Sequence, residues 1–416
     1  MSTTRGECKL HGGKLVGVTL TVDDGRIVDS RLDGDFFIST NSDDISLVRT
    51  IEHSVNGAEL PVDVHSLADR IDMALKSHPE AQLIGATSES IATAIERGSR
   101  QVKENARPYQ AGQTPIPSIP AGHPELSLQV HANHLPSSSD GRSNADHDAE
   151  MRLSERWSSL HPLVIHDSPR DPAMQMALDE VLSEKVADGT IPATFRIWEW
   201  KSSAVIIGRF QSLSNEVDIE QARRENISVV RRVTGGGAMF VEPSNTITYS
   251  LYAPLRFVEG MDVAQSYRIC DEWLVAALRE LGMKVSFSSM NDLASEQGKI
   301  GGAAQRRFAR RDGGPGAVLH HVTLAYDIDA EKMARVLRIS KEKMSDKAVR
   351  SVVKRVDPMR SQTGMARSDI ISHLQDFLLR NVSQAVVSTI SPACLNESSE
   401  LAKQRYSKDA WLSCIV

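Results

Sequence analysis

The chain has 416 residues, of which 40% are hydrophobic and 25% charged, and its formal net charge is −6. That length exceeds one ordinary core and predicts at least two domains of a soluble globular protein. The acidic balance excludes a nucleic-acid binder, which needs a basic face for phosphates, but leaves nucleotide chemistry open because a local basic pocket suffices.

No apolar run approaches the ~18–20 residues that span a bilayer, so no membrane partner is expected. Residues 1–18 lack the apolar core and cleavage site of a secretory signal. Cys8, Cys270, Cys394 and Cys414 lie far apart without a CxxC pair, which excludes a zinc-ribbon pattern and gives no disulfide framework. A reducing, cytoplasmic setting is the expectation.

In chain order, LVGVTLTV (15–22) and RIVDSRL (26–32) flank Asp24-Gly25, a strong short-hairpin signal, and GDFFIS (34–39) is placed to add a third strand. Val64, Leu67, Ala68, Ile71 and Leu75 recur at helical spacing, as do Ile91, Ala94 and Ile95 after a cap at Thr87 or Ser88. Residues 1–100 thus read as a small α+β domain. Across 101–156, Pro108, Pro115, Pro117, Pro120, Pro124 and Pro136 fall among Ser, Gln, Asn, His and Gly without periodicity. This predicts a flexible linker, the alternative being a long ordered surface loop.

Patterning returns at Trp157. HPLVIHD predicts a strand, PAMQMALDEVLSEKVADG a helix ended by Gly189, and FRIWEW and SAVIIGRF two further strands. EQARRENI predicts a short exposed helix, ISVVRR (227–232) and NTITYSLYAP (245–254) strands, and residues 264–282 a helix leading into KVSFSS. This mixed order predicts an α+β catalytic domain over 157–416 rather than a doubly wound sheet.

Three segments carry candidate chemistry. In VVRRVTGGGAMF (229–240), a β-branched strand delivers two arginines to Thr234-Gly235-Gly236-Gly237. Three glycines let backbone N–H groups approach an anion closely, and a guanidinium adds a forked donor. The plain alternative is a flexible hairpin turn, and neither a P-loop nor a Rossmann pattern is present. In NDLASEQGKIGGAAQRR (291–307), Asn291 and Asp292 offer oxygen ligands for Mg²⁺ or a ribose. Lys299 stands among small residues from which it can reach a buried anion; alternatively both charges decorate a solvated hairpin. In VLHHVTLAYDID (318–329), the histidine pair either lines a pocket or is satisfied in the core.

Taken together, RRVTGGGAMF, NDL with GKIGGAAQRR, and LHHVTLAYD resemble the lipoate–protein ligase family of the biotin/lipoate ligase-like superfamily. The resemblance extends through MALDEVL (176–182), FRIWEWKSSAVIIGRFQ (195–211), KMSDKAVRSVVKRV (343–356) and LAKQRYSKDAW (401–411). KLHGGKLVGVTLTVDDGRIVDSRLDGDFF looks like the accessory domain of these ligases, here placed first in the chain. A flexible coil of ~50 residues averages roughly 35–40 Å end to end, enough for such a domain to fold back.

The resemblance implies a fold of mixed β-sheets with packed helices, plus a small α+β accessory domain. It implies ATP and Mg²⁺ as cofactors and lipoate as substrate, activated as lipoyl-AMP. The acyl group then passes to a lysine of an acceptor lipoyl domain, in a 2-oxoacid dehydrogenase complex or the glycine cleavage H protein. By motif position, Lys299 would be the catalytic lysine. Arg232, Thr234, Gly235, Gly236, Gly237, Ala238, Gly302 and His321 would wrap the lipoyl-adenylate. Asn291 and Asp292 would serve nucleotide and magnesium, and Ile207 and Phe240 would bound the dithiolane tunnel.

Two departures from the family pattern are Val241, where a histidine is common, and Val322, where a glycine usually follows the histidine pair. The competing function is an octanoyltransferase of the same superfamily, which uses a cysteine nucleophile and no ATP. A binding protein that has lost catalysis is a further reading, opposed by Lys299 and Asp292. A biotin ligase is disfavoured because the sequence has no GRGR-like loop.

Overall fold

Asp24 and Gly25 both adopt positive φ, 46° and 72°, the two-residue turn that joins strands without splaying them. They link β2 (Val16–Asp23) to β3 (Arg26–Gly34), and β1 (Ser2–Cys8) pairs antiparallel with β2 on its other edge. The computed structural model describes residues 1–10, 12–40, 44–105, 155–310, 313–338 and 358–415. Most of the predicted linker, and the family-like segment 343–356, therefore lie outside the described residues.

β1 was not apparent in the sequence, because STTRGEC alternates too weakly. Residues 37–39 form β4 (Phe37–Ser39), but it pairs with β5 (Gln82–Ile84) in a separate two-stranded sheet and does not extend the hairpin. Three helices cover this unit: α1 (Asp44–Val55), α2 (Val64–Lys76) and α3 (Ser88–Asn105). The cap is Thr87, whose Oγ1 accepts the Ser90 N–H at 3.1 Å, and α3 runs past the boundary expected at residue 100. The core joins the sheet residues Val18, Leu20 and Ile27 to Leu47, Ile71 and Ile95 of the helices.

The second unit is built on an eight-stranded mixed sheet ordered β12-β13-β14-β15-β11-β7-β6-β16. Its strands are β6 (Leu163–Arg170), β7 (Thr194–Trp200), β11 (Thr246–Pro254), β12 (Ser286–Phe287), β13 (Asp292–Ser295), β14 (Gly298–Phe308), β15 (Ala317–Ala325) and β16 (Val386–Val387). A smaller sheet ordered β10-β8-β9 holds β8 (Ala204–Ile207), β9 (Ser228–Arg231) and β10 (Met239–Val241). Side chains alternate across the large sheet, as the period of two requires. Ile247, Tyr249 and Leu251 of β11 meet Ile269 and Leu274 of a helix over Val263–Glu280. Tyr252 and Leu319 face the opposite way, toward Leu178 and Val181 of α4 (Pro172–Ala187).

The two units dock tightly. Phe210, which follows β8, is buried in the core of the N-terminal unit and stacks on Phe36 with ring centroids 5.1 Å apart. The Gly34 N–H donates to the Phe210 carbonyl at 3.0 Å, and Gln211 Nε2 donates to Asp35 Oδ1 at 2.7 Å. Asp44 pairs with Arg306 at 3.3 Å and Arg209 at 3.6 Å. Among the described residues no helix is long and apolar enough to cross a membrane.

Candidate functional site

A cavity of about 410 Å³ opens between the glycine run, the β13–β14 hairpin, β15 and the N-terminal unit. Its polar wall carries Arg232, Asn291, Asp292, Lys299 and His321, with Lys14 and Asp35 contributed by the N-terminal unit. Ile328, Met333, Leu337 and Met239 give it an apolar end.

The hairpin reading of 291–302 is correct as geometry, but its charges are not merely solvated. The Lys299 ammonium lies 2.8 Å from Asp292 Oδ1 on the cavity wall. A Cβ on Gly302 would sit 3.2 Å from Lys299 Nζ and 3.4 Å from Asp292 Oδ1, so the glycine leaves room for this pair. Burial raises the Asp292 carboxyl pKa, but the flanking Lys299 and Lys14 outweigh it and hold the pKa below its ordinary value.

The glycine run is braced rather than loose. Arg232 Nη2 donates to the carbonyls of Gly235 and Gly237 at 2.6 and 2.9 Å, and its Nε donates to Thr234 Oγ1 at 3.0 Å. Burial pushes this guanidinium down to about 10, still charged at neutral pH. Gly236 takes φ +90°, and a Cβ there would lie 2.9 Å from Phe37 Cε1 and 3.0 Å from Arg232 Nη2, so only glycine fits without displacing a neighbour.

The alternation along β15 sends the two histidines to opposite faces. His320 is a core residue whose Nε2 meets Asp271 at 2.7 Å. His321 reaches the cavity, with Nδ1 2.7 Å from Asp179 Oδ2 and Nε2 2.8 Å from Thr234 Oγ1. Asp179 lies on α4 and also accepts from Ser250 Oγ at 2.8 Å and the Tyr252 hydroxyl at 2.6 Å. Burial lowers the His321 pKa, with the Asp179 carboxylate opposing. A neutral ring beside a carboxylate places its proton on Nδ1, so Nε2 accepts from Thr234, which in turn accepts from Arg232.

Of the residues singled out in the sequence, the cavity wall thus gathers Lys299, Arg232, Gly236, Gly237, Ala238, Gly302, His321, Asn291, Asp292 and Phe240. Thr234 and Gly235 stand behind it as supports. Ile207 belongs to the core under the small sheet, not to the wall. Val241 and Val322 are both fully buried in core clusters outside the wall. Lys14, Asp35, Asp179 and Trp198 were not singled out. All four lay within the family-like runs: Lys14 and Asp35 in KLHGGKLVGVTLTVDDGRIVDSRLDGDFF, Asp179 in MALDEVL and Trp198 in FRIWEW. Among the described residues no group of three or more His, Cys, Asp or Glu side chains is arranged for a resident metal.

The catalytic-domain model of lipoyl protein ligases A and B matches residues 171–386, more than half of the chain. The chain belongs to the lipoyl protein ligase A/B family. Its relatives include the octanoyltransferase LipM of Halalkalibacterium halodurans, 25% identical over 274 residues that cover 59% of this chain and 96% of the relative. A chain from the structural analysis of a bipartite lipoate protein ligase and its E2 lipoyl domain from Thermoplasma acidophilum superposes with a TM-score of 0.52 at 24% identity, covering 61% of this chain and 97% of that one. A lipoate-protein ligase A bound with ATP gives a TM-score of 0.50 at 22% identity, covering 61% and 98%. The chain therefore has the biotin/lipoate ligase-like α+β fold expected from its sequence. Within the lipoyl ligase family it has solved neighbours of the ligase type, and its curated relatives include octanoyltransferases and a probable lipoate-protein ligase A of Mycoplasma pneumoniae.

Proposed function

We propose that this protein is an ATP-dependent lipoate–protein ligase, with residues 1–105 as its accessory domain. Lipoate is activated as lipoyl-AMP and then passed to the lysine of an acceptor lipoyl domain. The observation that carries this reading is the Lys299–Asp292 pair facing the braced glycine run, a fixed cation beside backbone donors where negative charge develops. Lys299 contacts the carboxyl and α-phosphate, and Gly236, Gly237, Ala238 and Gly302 follow the adenylate. Arg232 and His321 hold that surface in shape, while Asn291 and Asp292 face the nucleotide. The apolar end around Ile328 and Met333 suits a lipoyl chain. Magnesium would supply charge neutralisation on the phosphates, and Asp292, with Asn291 beside it on the wall, is the carboxylate that would hold it.

The second reading, an octanoyltransferase, is favoured by the LipM relatives. It requires a thiolate at the site. All four cysteines lie away from the cavity wall: Cys8, Cys270 and Cys394 are buried, and the exposed Cys414 sits beside Arg209. Burial pushes the Cys270 thiol far above its ordinary value. Intact mass of an apo lipoyl domain, incubated with the protein, lipoate, ATP and Mg²⁺, tests the ligase reading. Acyl transfer from octanoyl-acyl carrier protein without ATP would replace it.

A further inference from the structure

The backbone of the N-terminal unit turns at Gly12 and Gly13, and the Lys14 N–H donates to the Gly85 carbonyl at 2.6 Å. The aliphatic stem of Lys14 then lies against Gly85, where a Cβ would come within 2.4 Å of Lys14 Cγ. Its ammonium passes 5.6 Å from the Phe37 ring centroid and crosses the interface to Asn291 Oδ1 at 2.8 Å. Asn291 is itself fixed, donating from Nδ2 to the Ala303 carbonyl at 2.9 Å. The cation is thus held by both units at the rim of the cavity that contains Lys299.

The charges leave room for an anion. Lys14, Lys299 and Arg232 face Asp35 and Asp292, and three cations against two carboxylates leave one positive charge on the wall. A lysine withdrawn from water with only part of a carboxylate's charge to itself is costly, so its placement is explained best by a ligand that brings negative charge.

We propose that Lys14 is a second substrate-contacting cation of the acyl-activation step, supplied by the N-terminal unit to the α-phosphate of ATP. This rests on the ligase reading above. In that step a lipoate carboxylate oxygen forms a bond to the α-phosphorus. The bond from that phosphorus to the pyrophosphate oxygen breaks, and its electron pair leaves with pyrophosphate. No proton moves. Lys14 donates hydrogen bonds to the phosphate oxygens as charge builds on them, and Lys299 holds the attacking carboxylate. In the later step charge builds on the acyl carbonyl, beside Lys299, so Lys14 matters mainly for activation.

The test uses the full-length protein with Lys14→Met, which keeps the apolar stem against Gly85 and Phe37, and Lys14→Arg, which keeps the charge. Activation is read as lipoate-dependent exchange of labelled pyrophosphate into ATP. Transfer is read as single-turnover acylation of an apo lipoyl domain from prepared lipoyl-AMP. Lys14→Met is expected to lower exchange about 100-fold while transfer changes by less than about 5-fold, and Lys14→Arg should recover part of the exchange. Limited proteolysis and the thermal midpoint should match the parent protein, showing that docking survives. Parent-like exchange in Lys14→Met, or equal loss of both steps, would overturn the assignment of Lys14 alone. Absence of exchange in the unsubstituted protein would overturn the ligase reading and this proposal with it.

Discussion

His321 Nδ1 lies 2.7 Å from Asp179 Oδ2, which joins a helix on one side of the sheet to the glycine run through Thr234. Asp179→Asn would present an amide N–H₂ to Nδ1 and shift the ring proton to Nε2. Thr234 Oγ would then receive two donors and lose its own acceptor. The expected result is a 10- to 100-fold lower rate of adenylate formation, typical of a lost outer partner, with the fold retained. A ¹⁵N spectrum of the ring reports the tautomer directly. An unchanged tautomer with unchanged rate would remove Asp179 as a positioning residue.

The same histidine makes stability depend on pH. Its folded pKa lies below the ordinary value because of burial, so the unfolded chain takes up a proton near pH 6.5 that the native state refuses. The contribution is therefore fully present above about pH 6.5 and is lost as pH falls below that value toward the folded pKa. Urea unfolding of the parent protein should weaken from pH 7.5 to 5.5 more than that of His321→Gln. Parallel pH curves would count against this assignment.

Lys299→Ala should leave stability within about 0.5 kcal/mol, because the side chain is 46% exposed and packs little. Loss of a preorganised donor is expected to slow lipoyl-AMP formation ~10²–10³-fold. Lys299→Arg should not restore it, since a planar fork replaces a compact charge beside Gly302 and Asp292. Pyrophosphate release is the assay, and near-normal release in Lys299→Ala would remove the centre of the proposed function.

Serine at each cysteine should leave acyl transfer intact. Cys414→Ser, at an exposed position, should be silent in every assay. Cys270→Ser is expected to lose stability, since it places a hydroxyl where a buried thiol sits, but not to show a selective loss of transfer. A selective loss at any one of the four, with an intact fold, would favour the octanoyltransferase.

Local signals in the sequence carried much of this architecture. Asp24-Gly25 specified its turn chemically, and the periodicity around Val64 and Ile91 specified α2 and α3. Lys299 stood out because its neighbours are small. Lys14 did not, because its partner Asn291 is 277 positions away and no local pattern encodes that meeting. Asp179 was hidden for a different reason: α4 is buried along nearly its whole surface, so a carboxylate inside it looks like any helical polar residue until Ser250, Tyr252 and His321 converge on it. Phe240 and Ile207 are equally apolar and share one face and one core of the small sheet, and only their positions on that face decide which one meets the cavity.

Phe210 completes a core that belongs to the other unit, and Gly34, Asp35 and Asp44 bind the surface around it. The attachment between the units is thus written into their faces, independently of the peptide that joins them. Joining the units in one chain adds local concentration, on the order of millimolar for a short tether and less for a long one. The chain can be regarded as a heterodimer whose subunits happen to share one reading frame. Their order along the gene is then free to vary, provided that each face survives.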